Sequence, residues 1–204
     1  LAKQKKARVS LPGGCVIGPR PIDLHLKGLR AIGADIRLEH GYVLARTKGL
    51  RGDHVYLGGA FGSSVLATAN LLMAATLAKG TTVIEDAACE PELVDLAHFL
   101  TKMGAKIQGI GSKVLKVEGV KSLHGAEHAI IPDRIEAGTY LFAGAITGGD
   151  ITVRHARADH LGAVIDKMKE AGVEISSVKD GLRVRTPKAL HPIDVTTLPY
   201  PGFP

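Results

Sequence analysis

Leu29-Arg-Ala-Ile-Gly33-Ala-Asp-Ile36 is one of three matching stretches that decide the fold of this 204-residue chain. The other two are Leu100-Thr-Lys-Met-Gly104-Ala-Lys-Ile107 and Met168-Lys-Glu-Ala-Gly172-Val-Glu-Ile175. Their glycines lie about 70 residues apart, which is the spacing of a structural repeat. Glycine readily adopts the left-handed conformation that ends a helix. Each stretch therefore predicts a helix, a glycine stop and a strand.

The sequence around these stretches repeats as well. Alternating apolar and polar residues predict a hairpin after the glycine, for example at residues 34–45 and 173–184. A further strand is predicted before each helix, at residues 7–11, 80–85 and 149–154. Ala67–Lys79 and Ala137–Thr147 read as alanine-rich, buried helices. The predicted fold class is α/β (α+β), built from repeated units of about 70 residues.

The repeat is interrupted at Ile131-Pro-Asp-Arg-Ile135, where a proline stands among charged residues. We therefore predict one domain over residues 1–131 and another over 132–204. The chain begins with Leu1 rather than Met and stops at Pro204 without an obvious terminal element. From this we expect a piece of a longer protein.

Composition narrows the class of protein. Apolar residues make up 45% of the chain and charged residues 23%, as in ordinary globular proteins. The net charge of +6 favours anionic partners, although a solubilising surface explains it equally well. Cys15 and Cys89 show no spacing typical of a zinc site, which predicts free thiols and no metal. With no apolar run of about 20 residues and no secretory signal, we expect a cytoplasmic protein without membrane contact.

The stretch with the clearest chemistry is Leu11-Pro-Gly-Gly-Cys15-Val-Ile-Gly-Pro-Arg20-Pro-Ile-Asp-Leu-His25. Glycines leave the Cys15 thiol unshielded, and Arg20 nearby favours its thiolate. Cys15 is therefore a candidate acid, base or nucleophile, against the alternative of a small buried apolar residue. Arg20 and the backbone beside it could bind phosphate. The same residues could simply begin a helix, with Pro21 in its first turn and Asp23 complementing its dipole.

Other candidates carry weaker signals. Ser63, Ser64 and Val65 precede the helix predicted from Ala67, and could bind an anion through backbone amides or only cap the helix. Glu90 and Arg134 lie at turns beside prolines, and from the residues alone both favour a structural role.

The cysteine loop resembles the active-site loop of the UDP-N-acetylglucosamine 1-carboxyvinyltransferase family. Three further stretches resemble segments of that family in the same order, so that nearly the whole chain is covered. They are Ala74-Ala-Thr-Leu-Ala-Lys-Gly-Thr-Thr82, Ala88-Cys-Glu-Pro-Glu-Leu-Val-Asp95 and Pro132-Asp-Arg-Ile-Glu-Ala-Gly-Thr139.

The resemblance implies a fold and a reaction. The fold is two similar domains, each made of three inside-out α/β units. The reaction transfers the enolpyruvyl group of phosphoenolpyruvate to the 3′-hydroxyl of UDP-N-acetylglucosamine, the first committed step of peptidoglycan synthesis. It proceeds by addition and elimination through a tetrahedral intermediate, without a metal or organic cofactor.

The resemblance also implies roles for single residues. Cys15 matches the cysteine that protonates or captures phosphoenolpyruvate and that fosfomycin alkylates. Arg20 matches a phosphate-contacting arginine, and Glu90 and Arg134 match polar residues of the cleft. The residues that would grip the UDP-sugar are Arg20, Pro21, Ile22, Asp23, Leu24 and His25, followed by Ser63, Ser64 and Val65.

The chain departs from the family pattern in two ways. Leu66 stands where a glycine is usual, and Gly62 stands where some members have lysine. The resemblance further implies that a Lys-Asn motif precedes residue 1 and that the general-base Asp and a later arginine follow Pro204. On that ground we expect this piece alone to be inactive and to self-associate through exposed repeat faces.

Two alternatives remain open at this stage. One is a relative that acts on shikimate 3-phosphate, against which the cysteine loop argues. The other is a module on the same fold that binds phosphate or nucleic-acid ends, which the charge permits. The sequence shows no aromatic stacking platform or basic helix, and we therefore expect no nucleic-acid partner.

Overall fold

The computed structural model describes residues 1–11, 21–60, 62–186 and 189–203, which form two compact units, Leu1–Ala129 and Ile130–Pro204. The described elements of the first unit are β1 (Lys6–Ser10), α1 (Asp23–Ala31), β2 (Asp35–Glu39), β3 (Tyr42–Arg46), β4 (His54–Tyr56), α2 (Val65–Ala75), β5 (Thr81–Glu85), α3 (Pro91–Lys102), β6 (Lys106–Gln108) and β7 (Val114–Glu118). Those of the second are α4 (Arg134–Ile146), β8 (Asp150–Arg154), α5 (Gly162–Glu170), β9 (Glu174–Val178) and β10 (Gly181–Arg185), with a 3₁₀ turn at Ala158–His160.

The unit boundary falls between Ala129 and Ile130, close to the division predicted between residues 131 and 132. It lies in the segment between the end of β7 and the start of α4, which contains neither helix nor strand. That the two units are parts of two similar enolpyruvyl transferase domains stays a prediction.

The three repeats share one sheet topology. In each, the strand before the helix pairs with the last strand of the repeat, which also pairs with the strand after the helix. The resulting orders are β1-β3-β2, β5-β7-β6 and β8-β10-β9, and all these pairs are antiparallel. The predicted α/β repeat is therefore confirmed.

The predicted glycine stops are present in all three repeats. Gly33, Gly104 and Gly172 have φ values of 96°, 100° and 92°, in the region where a side chain is strained. After each glycine, the next residue donates its N–H to the carbonyl five positions earlier, at 3.0 Å in every case. The pairs are Ala34 with Leu29, Ala105 with Leu100, and Val173 with Met168. This bond satisfies a carbonyl that the helix end would otherwise leave unpaired.

The first alanine-rich helix is buried as predicted. α2 contributes Leu71, Leu72 and Ala75, each at most 1% exposed, to the core of the first unit. Its small residues permit close packing, and a Cβ added to Gly28 of α1 would lie 3.1 Å from Leu71 Cδ2. Apolar burial of this kind supplies most of the stability of such helices.

The second alanine-rich helix is buried on one side only. Leu141 of α4 is fully buried, whereas Tyr140 and Ile146 are 56% and 79% exposed. The prediction that Ala137–Thr147 is a buried helix is thus wrong for half of its surface. Within the second unit α4 packs against β8 and β10, and the side away from that sheet faces solvent.

One strand was not predicted. β4 has three residues and pairs in parallel with β5, so that it adds a fourth strand to the second repeat's sheet. A run of three residues is too short to show the alternation by which a strand is recognised.

Candidate functional site

The centre of the cysteine loop, including Cys15 and Arg20, lies outside the described residues. The structure gives the two ends of this loop. Leu11 follows β1 and donates its N–H to the carbonyl of Gly41 at 2.9 Å, and α1 begins at Asp23. The roles predicted for Cys15 and Arg20 therefore stay predictions.

The entrance to α1 differs from the predicted one. Ile22, with φ −114° and ψ 9°, is the cap residue, and Asp23 is the acidic residue of the first turn. Asp23 complements the helix dipole as predicted. Pro21 precedes the cap and is exposed, so its predicted place in the first turn is wrong. The reason is that the backbone adopts helical angles only from Asp23 onward.

One predicted substrate segment packs against the loop that leads into the other. A Cβ added to Gly59 would lie 3.2 Å from Leu24 Cδ1, which shows how closely Leu24 packs on the loop before α2. Gly59 and Gly62 are joined by two backbone hydrogen bonds of 3.1 Å each. Ser63 follows that pair directly. The fold thus brings Leu24 to the loop that leads into residues 63–65, although about 40 residues separate the two segments in the chain.

His25 is fixed by a residue that the sequence analysis missed. Its Nδ1 lies 2.8 Å from the amide Nδ2 of Asn70 on α2. An amide N–H₂ can only donate, so Nδ1 accepts and the imidazole carries its proton on Nε2. Burial lowers the pKa of His25 below its ordinary value, and the nearby Asp23 opposes this only in part. His25 is therefore a neutral side chain that can donate from Nε2.

Ser64 and Ser63 have different partners. Ser64 caps α2, and its Oγ accepts from Ala67 N–H at 3.3 Å, so the predicted capping role is confirmed. Ser63 Oγ instead accepts from the ammonium of Lys113 at 3.2 Å, and Asp86 lies 3.1 Å from the same ammonium. Lys113 stands in the turn before β7, and no sequence pattern linked it to Ser63, 50 residues earlier. An ammonium paired with a carboxylate therefore lies beside the start of α2.

The two departures from the family pattern have physical explanations in this fold. Gly62 has φ 88°, a left-handed conformation that glycine adopts without strain and that a residue with a Cβ adopts only at a cost. The ammonium of Lys113 nevertheless reaches the neighbouring Ser63. Leu66 is 68% exposed in the first turn of α2, so the larger side chain needs no space in the core.

Glu90 lies at the start of α3, where Pro91 is the first helical residue. The residue is 5% exposed, and its Oε2 has no hydrogen-bond partner in the described part of the chain. A buried carboxylate oxygen without a partner costs free energy, which a bound donor would recover. The unfilled oxygen supports a binding role for Glu90 over a purely structural one.

Cys89, the neighbour of Glu90, is a free thiol. Burial raises the pKa of Cys89, and Lys113 lowers it by a smaller amount. A raised pKa leaves little thiolate at neutral pH, so Cys89 is a poor nucleophile.

Arg134 belongs to the second unit, where it is the first residue of α4. Asp133 caps this helix by accepting from Ile135 N–H at 2.8 Å and Glu136 N–H at 3.1 Å. The Arg134 guanidinium lies 5.3 Å from the centre of the Tyr200 ring, within the range of a cation–π contact. Tyr200 in turn donates its hydroxyl to the carbonyl of Asp159 at 3.3 Å. Arg134 is thus held over an aromatic surface.

Neither a metal site nor a membrane helix is found where the structure describes the chain. Outside the gaps at 12–20, 61, 187–188 and 204, no three His, Cys, Asp or Glu side chains cluster closely enough to hold a metal ion. Among these residues, no helix combines the length and the apolar character needed to cross a bilayer.

The fold and the site can now be compared with known proteins. The sequence model of the EPSP synthase (3-phosphoshikimate 1-carboxyvinyltransferase) family matches residues 1–204, and the chain belongs to this family. Among its curated relatives, the UDP-N-acetylglucosamine 1-carboxyvinyltransferase of Granulibacter bethesdensis is 60% identical over 205 residues. The enzyme of that name, numbered 1, from Caldanaerobacter subterraneus subsp. tengcongensis is 56% identical over 204 residues. The resemblance inferred from the cysteine loop is confirmed.

The chain spans about half the length of the curated relatives it matches. Both alignments cover 100% of this chain and 48% of the relative. Two solved structures share the fold. The enolpyruvyl transferase NikO from Streptomyces tendae matches 97% of this chain and 48% of its own, with a TM-score of 0.79 and 22% identity. EPSP synthase from Acinetobacter baumannii matches 81% of this chain and 38% of its own, with a TM-score of 0.56 and 23% identity.

Proposed function

We propose that this chain is part of an enzyme that transfers the enolpyruvyl group of phosphoenolpyruvate to the 3′-hydroxyl of UDP-N-acetylglucosamine. The observation that carries the proposal is its 60% identity, over the full chain, to a relative named for that reaction. The alignments with relatives of this name include the cysteine loop and both candidate substrate segments, because each alignment covers 100% of the chain.

The contacts of Leu24 with the loop before α2 and of His25 with Asn70 on α2 support a nucleotide-sugar site at that place. Backbone N–H groups at the start of α2 and the ammonium of Lys113 provide positive charge for a diphosphate. His25 offers a neutral Nε2–H donor, and Arg20, Pro21, Ile22, Asp23 and Leu24 would supply the remaining contacts. Glu90, whose buried Oε2 has no partner among the described residues, would accept a hydrogen bond from a hydroxyl of the substrate.

Cys15 would act on phosphoenolpyruvate. In the addition step the sugar hydroxyl loses its proton to a general base and its oxygen forms a bond to C2 of phosphoenolpyruvate, while a proton is added at C3. In the elimination step C3 loses a proton and the C2–O bond to phosphate breaks, which regenerates the double bond. A cysteine thiol can supply the proton or form a covalent adduct at C2. Arg134 would bind an anionic group of the substrate, as the family resemblance implies. No redox or metal step is needed to balance this reaction.

The substrates would be small molecules, with neither a nucleic acid nor a membrane among the partners. The reaction would take place in the cytoplasm, where nucleotide sugars and phosphoenolpyruvate are made. In this proposal the enzyme commits UDP-N-acetylglucosamine to peptidoglycan synthesis.

A chimera tests the proposal. The 204 residues would replace the aligned stretch of the Granulibacter bethesdensis enzyme, and phosphate release from phosphoenolpyruvate would be measured with either acceptor. We expect release with UDP-N-acetylglucosamine and none with shikimate 3-phosphate. Cys15→Ser should lower the rate by about 10²- to 10⁴-fold, the usual contribution of a general acid or base.

Cys89→Ser is the matched control, because it removes the other thiol of the chain. Its rate should stay within about twofold of the parent chimera, since Cys89 is a weakly reactive thiol. A preference for shikimate 3-phosphate, or equal effects of the two substitutions, would overturn the proposal.

A further inference from the structure

A basic groove lies in the first unit, away from the candidate substrate site. Its volume is about 870 Å³, and it is bounded by the chain before β1, the end of β3 and the loop that follows. None of its lining residues belongs to residues 21–25 or 63–65. The charged residues of this lining are Lys5, Lys6, Asp35, Arg46, Lys48 and Arg51.

The groove carries an excess of positive charge, with five cationic side chains and one carboxylate in its lining. All five cationic side chains are exposed, and none forms a hydrogen bond or ion pair with another residue of ranges 1–11, 21–60, 62–186 or 189–203. Asp35 is the one carboxylate in the lining. Lys6 stands directly opposite Arg46 in the β1–β3 pair, and Asp35 stands opposite Arg46 in the β2–β3 pair, so Arg46 lies between one like and one opposite charge.

The groove is formed by an ordered loop. Thr47 N–H donates to Lys5 C=O at 3.0 Å, and Thr47 Oγ1 donates to Gly33 C=O at 3.0 Å. Gly49 N–H donates to Thr47 Oγ1 at 3.0 Å, and Arg51 N–H donates to Ile32 C=O at 2.9 Å. Thr47 forms hydrogen bonds with Lys5 on one side of the groove and Gly33 on the other. The backbone around the groove is therefore held in position before any ligand binds. Preorganisation of this kind lowers the entropic cost of binding.

We propose that this groove binds a di- or triphosphate group. Arginine matches phosphate with a planar fork of donors, and lysine adds point charge, so the two together suit a multiply charged phosphate. The volume falls within the range of small-molecule sites, about 300–1,000 Å³. The lining contains no aromatic side chain on which a base could stack, and therefore the phosphates rather than a nucleic-acid chain are recognised. The proposal does not depend on the proposed function.

The first test is calorimetric titration of the 204-residue chain with pyrophosphate and tripolyphosphate at two salt concentrations. We expect binding whose affinity falls as salt increases, because exposed charges are screened. Arg46→Gln and Lys48→Gln should each weaken binding by about three- to tenfold. Asp35→Asn should strengthen it, because it removes the one negative charge from the lining.

Lys116→Gln is the matched control. Lys116 is an exposed lysine of β7 outside the groove, and its loss changes the net charge by the same amount. We expect it to leave binding unchanged. Equal weakening by Lys116→Gln and Arg46→Gln would mean that the anions respond only to overall charge, and the proposal would be wrong.

Backbone amide NMR of the unsubstituted chain tests the proposal without depending on whether a variant folds. Pyrophosphate should shift the signals of Gly33, Thr47 and Gly49, whether or not those of Ser63 to Val65 also move. Shifts confined to the second set would assign the anion to the substrate site and overturn the proposal. The proposal would also be overturned if no binding occurs at millimolar pyrophosphate, or if a single-stranded oligonucleotide without terminal phosphates binds more tightly than pyrophosphate. UDP and UDP-N-acetylglucosamine, titrated in parallel, show whether nucleotides as well as free pyrophosphate use the groove.

Discussion

His25 shows how one residue of the candidate site depends on its neighbours. Its tautomer is set by Asn70 at 2.8 Å, and its pKa is lowered chiefly by burial. Protonation would place a hydrogen on Nδ1 and break the bond from Asn70. Because the pKa of His25 is lower in the folded chain than in the unfolded one, stability is retained above the unfolded pKa and declines as the pH falls below it.

Asn70→Asp should raise the pKa of His25. A carboxylate at this position accepts from Nδ1–H and stabilises the imidazolium, which reverses the present arrangement. The measurement is an NMR pH titration of the His25 ring proton. Asn70→Leu is the control, since it removes the amide without adding a charge and should raise the pKa by less than Asn70→Asp does. An unchanged titration in Asn70→Asp would show that Asn70 does not govern His25.

Neither Asn70 nor Lys113 could have been identified from the sequence. Each acts through a contact 45 or 50 residues distant in the chain, and each stands in a segment without a recognisable motif. By contrast, Ser64 was predicted as a possible cap because its role depends on residues within one turn. Local chemistry could be predicted here, and long-range pairing could not.

At the scale of elements, each repeat contains a glycine that ends its helix in a left-handed conformation. An added Cβ at Gly33 would meet only the Gly49 carbonyl oxygen, at 3.9 Å, so the position is sterically open. A larger residue at this position would be strained only by the backbone φ of 96°. This separates the conformational contribution of the glycine from packing.

Gly33→Ala should lower the free energy of unfolding by about 1–2 kcal/mol, the cost of a left-handed conformation for a residue with Cβ. Urea denaturation monitored by circular dichroism measures it. Gly125→Ala is the control, because Gly125 lacks a positive φ and an added Cβ would meet no atom within 4 Å. Equal effects of the two substitutions would contradict the assignment of Gly33 as a required helix stop.

The start of α2 offers a second test at this scale. Ser64→Ala should cost about 1 kcal/mol of unfolding free energy through loss of the cap. Ser63→Ala loses only the exposed contact with Lys113 and should cost less than about 0.5 kcal/mol. The same urea titrations compare them. A larger cost at Ser63 would mean that the capping assignment is wrong.

The elements that were mispredicted share a physical cause. β4 exists because β5 offers it a parallel partner, and its three residues give no pattern of their own. The composition of α4 resembles that of α2, yet α2 packs against helices α1 and α3 whereas α4 packs within its unit against a sheet. Composition predicted a buried helix, but burial depends on how many neighbours surround it.

At the scale of the whole molecule, the division at Ala129 and Ile130 should be visible to a protease. Ile130 is 82% exposed, whereas His128 is fixed by Asp95 at 2.8 Å and stacks on Phe99. Limited digestion with thermolysin, which cleaves before large apolar residues, should therefore begin before Ile130. Mass spectrometry identifies the cut. Ile130→Asp should slow it, and a first cut inside either unit would contradict the division.

The central claim is that this chain carries the reactive cysteine loop of an enolpyruvyl transferase. The most direct measurement is intact mass after incubation with fosfomycin and UDP-N-acetylglucosamine, followed by peptide mapping. We expect a single adduct on Cys15, because burial raises the pKa of Cys89 and keeps its thiol protonated. An adduct shared between the two thiols, or no adduct while Cys15 still reacts with a general thiol reagent, would contradict it.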